Sequence, residues 1–138
     1  MKNRYTAQSD SFFRALIIPN INIGFKQPNQ PPKFVSHTIE LLFRSSSYNG
    51  LDTIEKDVVI SGVSVEEYIR RLNGLVLFNA SDSDGISKYS GLDGDLLTMA
   101  GEISSPTYLG YVLFNVISKW VKEISLDIEL ISIEIGEN

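Results

Sequence analysis

The chain has 138 residues, 43% of them hydrophobic, a net charge of −5, one His and no Cys. That length suits one domain, residues 1–138, with enough apolar chain for a core. The residue counts exclude disulfides, thiol catalysis and a zinc site built from several His and Cys of one chain, and the acidic balance argues against a nucleic-acid partner.

Met1-Lys2-Asn3-Arg4 is basic, but the residues up to Ser11 are mostly polar. The apolar stretch Phe12 to Ile23 is broken by Arg14, Pro19, Asn20 and Asn22. A signal peptide needs a cleaner apolar region, and a spanning helix needs roughly 20 apolar residues. The expectation is a cytoplasmic protein with no membrane segment, which the lack of Cys fits. Phe12 to Phe25, rich in Ile and Phe, predicts a strand bent or bulged at Pro19 and Gly24. Lys26 to Lys33 carries Pro28, Pro31 and Pro32 and predicts a loop. Phe34 to Arg44 alternates. Val35, His37, Ile39, Leu41 and Phe43 share one face, while Thr38, Glu40 and Arg44 share the other. The two strands pair as an antiparallel hairpin.

Ser45 to Gly50 predicts a turn, and Asp57 to Ile60 a short strand. Ser64-Val65-Glu66-Glu67 is a capping box. The helix it opens runs through Tyr68, Ile69, Leu72, Leu75 and Val76, which follow at helical spacing. Asn79 to Gly94, dominated by Ser, Asp and Gly, predicts a loop. Ser105-Pro106 predicts the start of a second helix, with Ser as N-cap and Pro at the first helical position. Leu109, Val112, Leu113, Val116, Ile117, Trp120 and Val121 form its apolar stripe. Leu126 to Ile135 predicts a last strand whose alternation slips at Leu130-Ile131, the mark of a bulge or of burial on both faces. The expected class is α+β: an antiparallel sheet with two helices packed on one face.

Few residues point to chemistry. His37 on an apolar face reads as a packed core residue or as a lone metal ligand. Asp82-Ser83-Asp84-Gly85 has a flavour of calcium-loop chemistry but lacks the Gly offset and terminal Glu of an EF-hand, so it reads as a solvated loop. No nucleophile elbow, P-loop, dinucleotide fingerprint or H-E-x-x-H occurs. Asp93, Asp95, Glu102 and Glu134 are the carboxylates suited to acid, base or acceptor roles. Glu134 stands out because its strand is otherwise so hydrophobic.

Four segments, in order, resemble the 6-pyruvoyl-tetrahydropterin synthase and 6-carboxytetrahydropterin synthase family, which has the tunnelling fold. Val35-Ser36-His37-Thr38-Ile39-Glu40-Leu41 looks like its His-Gly-His strand with only the second His kept. Leu92-Asp93-Gly94-Asp95-Leu96-Leu97-Thr98 is similar to its Leu-Asp-His segment, with Gly94 in place of the catalytic His. Ser105-Pro106-Thr107-Tyr108-Leu109 resembles its Pro-Thr-x-Glu helix start, with Leu109 where the first pterin-anchoring Glu stands. Ile131-Ser132-Ile133-Glu134 looks like its last strand with the Glu retained. The resemblance spans roughly residues 34–137. Pro31 lies near the expected place of the catalytic Cys, and His37 is all that remains of three zinc-binding His.

The resemblance implies a diverged scaffold without the zinc-dependent lyase chemistry. It implies a pterin- or purine-type pocket using Glu134 and Thr107, no cofactor, and a homo-oligomer that closes a barrel from several subunits. Two other readings stand beside it. One is a metal-independent enzyme acting on a pterin-like heterocycle, with Asp93, Asp95 and Glu134 as acid and base groups. The other is a non-catalytic accessory subunit, since fold alone does not imply function.

Overall fold

A computed structural model gives the fold and describes residues 11–46, 59–60, 62–89, 104–124 and 127–138. β1 (Phe12–Lys26) and β2 (Lys33–Ser45) form the long antiparallel hairpin that the alternation predicts. β3 (Val59–Ile60) and β4 (Val63–Ser64) make a two-strand ladder leading into α1 (Val65–Arg70). Then come β5 (Leu75–Phe78), α2 (Ser83–Tyr89), α3 (Pro106–Ile124) and β6 (Ile128–Glu137). The main sheet has the strand order β5-β1-β2-β6.

The α+β class holds, but the sheet is mixed, because β5 runs parallel to β1. The apolar spacing that extends the first helix through Val76 is overridden by a turn at Asn73-Gly74. Gly74 sits at φ +87°, which suits a residue without a Cβ. The turn is tied to β1: the Gly74 amide donates to the Asn22 carbonyl at 2.6 Å, and the Asn22 amide donates to Asn73 Oδ1 at 2.8 Å. Leu75–Phe78 are all buried, the pattern of a parallel strand covered on both faces. A second correction is α2, which occupies part of the segment expected to be loop. The described residues therefore carry three helices rather than two.

Of the three expected irregularities two are present; at Gly24 the strand continues in regular register, paired with Phe34. Ile18 pairs with Ile39 and Ile21 with His37, so Pro19 and Asn20 together face Thr38, with Asn20 at φ 63°. On β6, Leu130 pairs with Phe43 and Ser132 with Leu42, leaving Ile131 as the extra residue of a bulge. The phase slip in the sequence is this bulge.

One sheet face is covered. Ile18, Ile21, Ile23, Ile39, Leu41, Phe43 and Leu130 join Leu109, Leu113, Ile117 and Val121 of α3 in a single buried cluster. Each such side chain contributes about 1.5–3 kcal/mol of apolar transfer energy before entropy is counted. The caps are those the sequence predicts. Ser64 Oγ accepts from the Glu67 amide and Ser105 Oγ from the Tyr108 amide, each at 3.2 Å. Over β1 and β2 the described residues leave the opposite face open: Phe13 is 58% and Ile17 57% exposed. No helix of the described residues is long and apolar enough to cross a membrane.

Candidate functional site

A cleft of about 780 Å³ runs between α3 and β6. α3 contributes Thr107, Gly110, Tyr111 and Phe114, spaced i, i+3, i+4, i+7 and therefore one stripe of the helix. Ile133 to Asn138 line it without a gap. Side chains of a strand alternate between faces, so an unbroken lining of six residues means the cleft follows the strand's edge. β6 is the end strand of the sheet, so that edge has no neighbouring strand among the described residues.

The wall chemistry is acidic and aromatic. Glu40 and Glu134 are directly opposite one another in the β2–β6 ladder, and both line the cleft with Glu137. Like charges so placed repel. Among the described residues that line it there is no Lys or Arg. Tyr111, 64% exposed, stacks on Tyr108 with ring centroids 6.0 Å apart and planes 29° apart. Asn138 closes one end. Its backbone amide donates to the Ser36 carbonyl at 3.0 Å, its Nδ2 donates to Ser36 Oγ at 2.7 Å, and its Oδ1 accepts from the Thr38 hydroxyl.

Thr107 and Glu134, from segments far apart in sequence, thus line one cleft. His37 does not join them. It is 1% exposed on the covered face, its ring edge-on to Phe25 at 5.6 Å. Its Nδ1 lies 2.7 Å from the Val35 carbonyl, which fixes Nδ1–H as donor, and Nε2 has no hydrogen-bond partner among the described residues. Among the described residues no group of three or more His, Asp or Glu is placed to hold a metal. The Nδ1–H bond leaves Nε2 as the ring nitrogen open to a metal, the usual arrangement of a ligating His, but the described residues do not bring together the further ligands of a zinc site. Leu109, where the resemblance puts a pterin-anchoring Glu, is fully buried in the core, so a carboxylate there would face apolar side chains. Asp93, Gly94, Asp95 and Glu102 lie outside the described residues.

A second polar cluster has no precedent in the sequence reading. Lys26, the last residue of β1, is 1% exposed, and its Nζ is 2.6 Å from Asp82 Oδ2 and 3.3 Å from Asp84 Oδ2. Asp82 Oδ1 accepts the Gly85 amide at 3.1 Å, so this residue caps α2 rather than floating in a solvated loop. The hydrogen bond from Lys26 holds the Asp82 carboxyl below its ordinary range, and the same bond lifts the Lys26 ammonium above its own. The sequence signal was an Asp immediately before Ser83-Asp84, a helix-start pattern obscured by the Gly and Ser around it. Ser104 adds a buried tie nearby: its hydroxyl donates to the Leu77 carbonyl at 2.6 Å, and its amide to Asn79 Oδ1 at 2.7 Å.

Compared with known protein families and with curated proteins, the chain matches none.

Proposed function

We propose that the α3–β6 cleft binds a planar, donor-rich heterocycle of the pterin or purine type, without zinc and without the lyase reaction of the family the sequence resembles. The observation that carries this reading is the convergence of Thr107 and Glu134 on one cleft beside an exposed tyrosine. A carboxylate accepts two parallel N–H bonds, which suits the amino-pyrimidine edge of such a ring. Tyr111 offers a face for stacking. A ligand bringing N–H donors also relieves the repulsion between Glu40 and Glu134. The resemblance adds a homo-oligomer paired through the outer edges of β5 and β6, which have no neighbouring strand among the described residues, since unpaired edges invite partners.

Calorimetric titration of the full chain with pterin and with guanine tests the binding. Saturable binding is expected, weakened roughly tenfold or more in Glu134→Ala through loss of a charge-assisted acceptor pair. Tyr111→Ala weakens it by a smaller factor. No binding of either heterocycle, or binding indifferent to Glu134, overturns the reading. The metal-independent enzyme draws support only from the carboxylates of the same cleft, and turnover of the bound heterocycle is its test.

A further inference from the structure

The open face over β1 and β2 reaches the cleft at Glu40, and its β1 side has no role in the reading above. Its layout follows from the β1–β2 register: Phe13 is opposite Arg44, Ala15 opposite Leu42, and Ile17 opposite Glu40. These six residues make three rows across the two central strands. The middle row is apolar, and its β1 member, Ala15, is small. Each outer row sets a large exposed apolar side chain on β1 beside a charged one on β2, and the two charges are opposite in sign. Phe13 and Ile17 are 58% and 57% exposed, one on either side of the small Ala15.

Such a face is complementary to itself. A two-fold axis lying in the interface, perpendicular to the strands and passing over Ala15 and Leu42, exchanges the two outer rows. Phe13 of one copy then meets Ile17 of the other, and Arg44 meets Glu40. Both outer rows sit two residues from the middle one, so the spacing matches by construction. Sheets packed face to face lie about 10 Å apart, and a small central residue lets the flanking Phe and Ile interdigitate at that distance. Arg44 already bonds Glu129 on the neighbouring strand, which holds its guanidinium over the face. We propose that two copies of this chain form an isologous dimer through this face, centred on β1 and β2, with the outer edges of β5 and β6 outside the contact.

Light scattering and sedimentation equilibrium on the full chain, over a concentration series, test this. The expected mass is that of an even number of copies, two where the edges of β5 and β6 stay unpaired. Ala15→Arg puts a charge on the axis against its own copy and should weaken association about a hundredfold. Glu40→Arg and Arg44→Glu should each weaken it roughly tenfold or more, and the double charge swap should recover most of the loss. Circular dichroism at the lowest concentration checks that each variant is folded. A monomer at every concentration overturns the proposal. So does an oligomer whose mass ignores Ala15→Arg, which is what edge pairing through β5 or β6 would give. A double swap no tighter than the weaker single variant overturns it as well.

Discussion

On β2, Ile39, Leu41 and Phe43 are fully buried, while Thr38, Glu40 and Arg44 alternate with them on the other side. The same backbone thus presents a dense apolar wall to α3 and a mixed, partly open surface to its surroundings. The covered side is set by packing, where every methyl group has neighbours and volume matters. The open side is set by what it leaves exposed: two large apolar side chains, an ion pair and the carboxylates of the cleft. On the proposed reading stability belongs to the first surface and recognition to the second, so substitutions a single residue apart should separate the two properties.

The largest effect should come from the covered side. Leu113→Ala removes a fully buried side chain of α3 and leaves a cavity against the sheet, costing about 2–5 kcal/mol in urea unfolding. Ile17→Ala, measured at a concentration where the protein is monomeric, should change stability by only about 0.5 kcal/mol or less. Similar losses at both positions would mean that the open face is covered within one chain.

Lys26 and Asp82 form a buried pair at the end of the sheet, and breaking it should cost less than emptying the core but more than any surface change. Lys26→Met leaves the Asp82 carboxylate buried without its cation and should lower the Tm by several degrees. The pH dependence fixes the mechanism. The Asp82 carboxyl is held below its unfolded value of about 3.9, so its contribution is complete above that pH and is lost as pH falls through the lower native value. In the variant that depression is gone, so the Tm gap to wild type should narrow as the pH drops below about 4. At the alkaline end, the raised Lys26 value means its contribution persists through the unfolded lysine range and disappears only above it. A gap independent of acid pH would show that the loss comes from packing alone.

Alternation alone placed Val35 through Phe43 on the correct face, because a half-buried strand writes its burial into every second residue. The Leu130-Ile131 slip and the Pro19 bend were legible for the same reason. β5 was not. Leu75–Phe78 is too short and too uniformly apolar to show a period, and it continues the helical spacing of the residues before it. Only the docking of the Asn73-Gly74 turn on Asn22, a contact between distant segments, decides it. The Lys26–Asp82 pair was hidden for that reason too, since its partners are 56 residues apart. For the cleft, the resemblance named Thr107 and Glu134, while Tyr111 and Glu40 were plain surface positions until α3 and β2 were set beside β6.

The N-cap of α3 tests how much of the covered side depends on local sequence. Ser105→Ala removes the acceptor for the Tyr108 amide at the mouth of the cleft and should cost about 1 kcal/mol, the usual cap value. Ser105→Asp should restore it, because a carboxylate accepts the same amide and favours the positive helix end. If the Asp variant stays as unstable as the Ala variant, the hydroxyl matters through some contact other than the cap.

The smallest effect should be on the ion pair of the open face. Arg44 and Glu129 bond across β2 and β6 with side chains 44% and 49% exposed. Water screens such a pair, and ordering two long side chains offsets most of its attraction, so Glu129→Gln should change monomer stability by about 0–1 kcal/mol. The informative comparison is the same substitution at a concentration where two copies associate. There Glu129→Gln leaves Arg44 with one negative neighbour fewer, so its charge is freer to meet Glu40 of the other copy, and association should hold or tighten slightly. Arg44→Gln is the opposite case: it leaves Glu40 and Glu129 facing negative charge with no cation between them, and association should fall although the folded monomer is nearly unchanged. A pair of substitutions alike in monomer stability and opposite in association would assign Arg44 to recognition rather than to the fold.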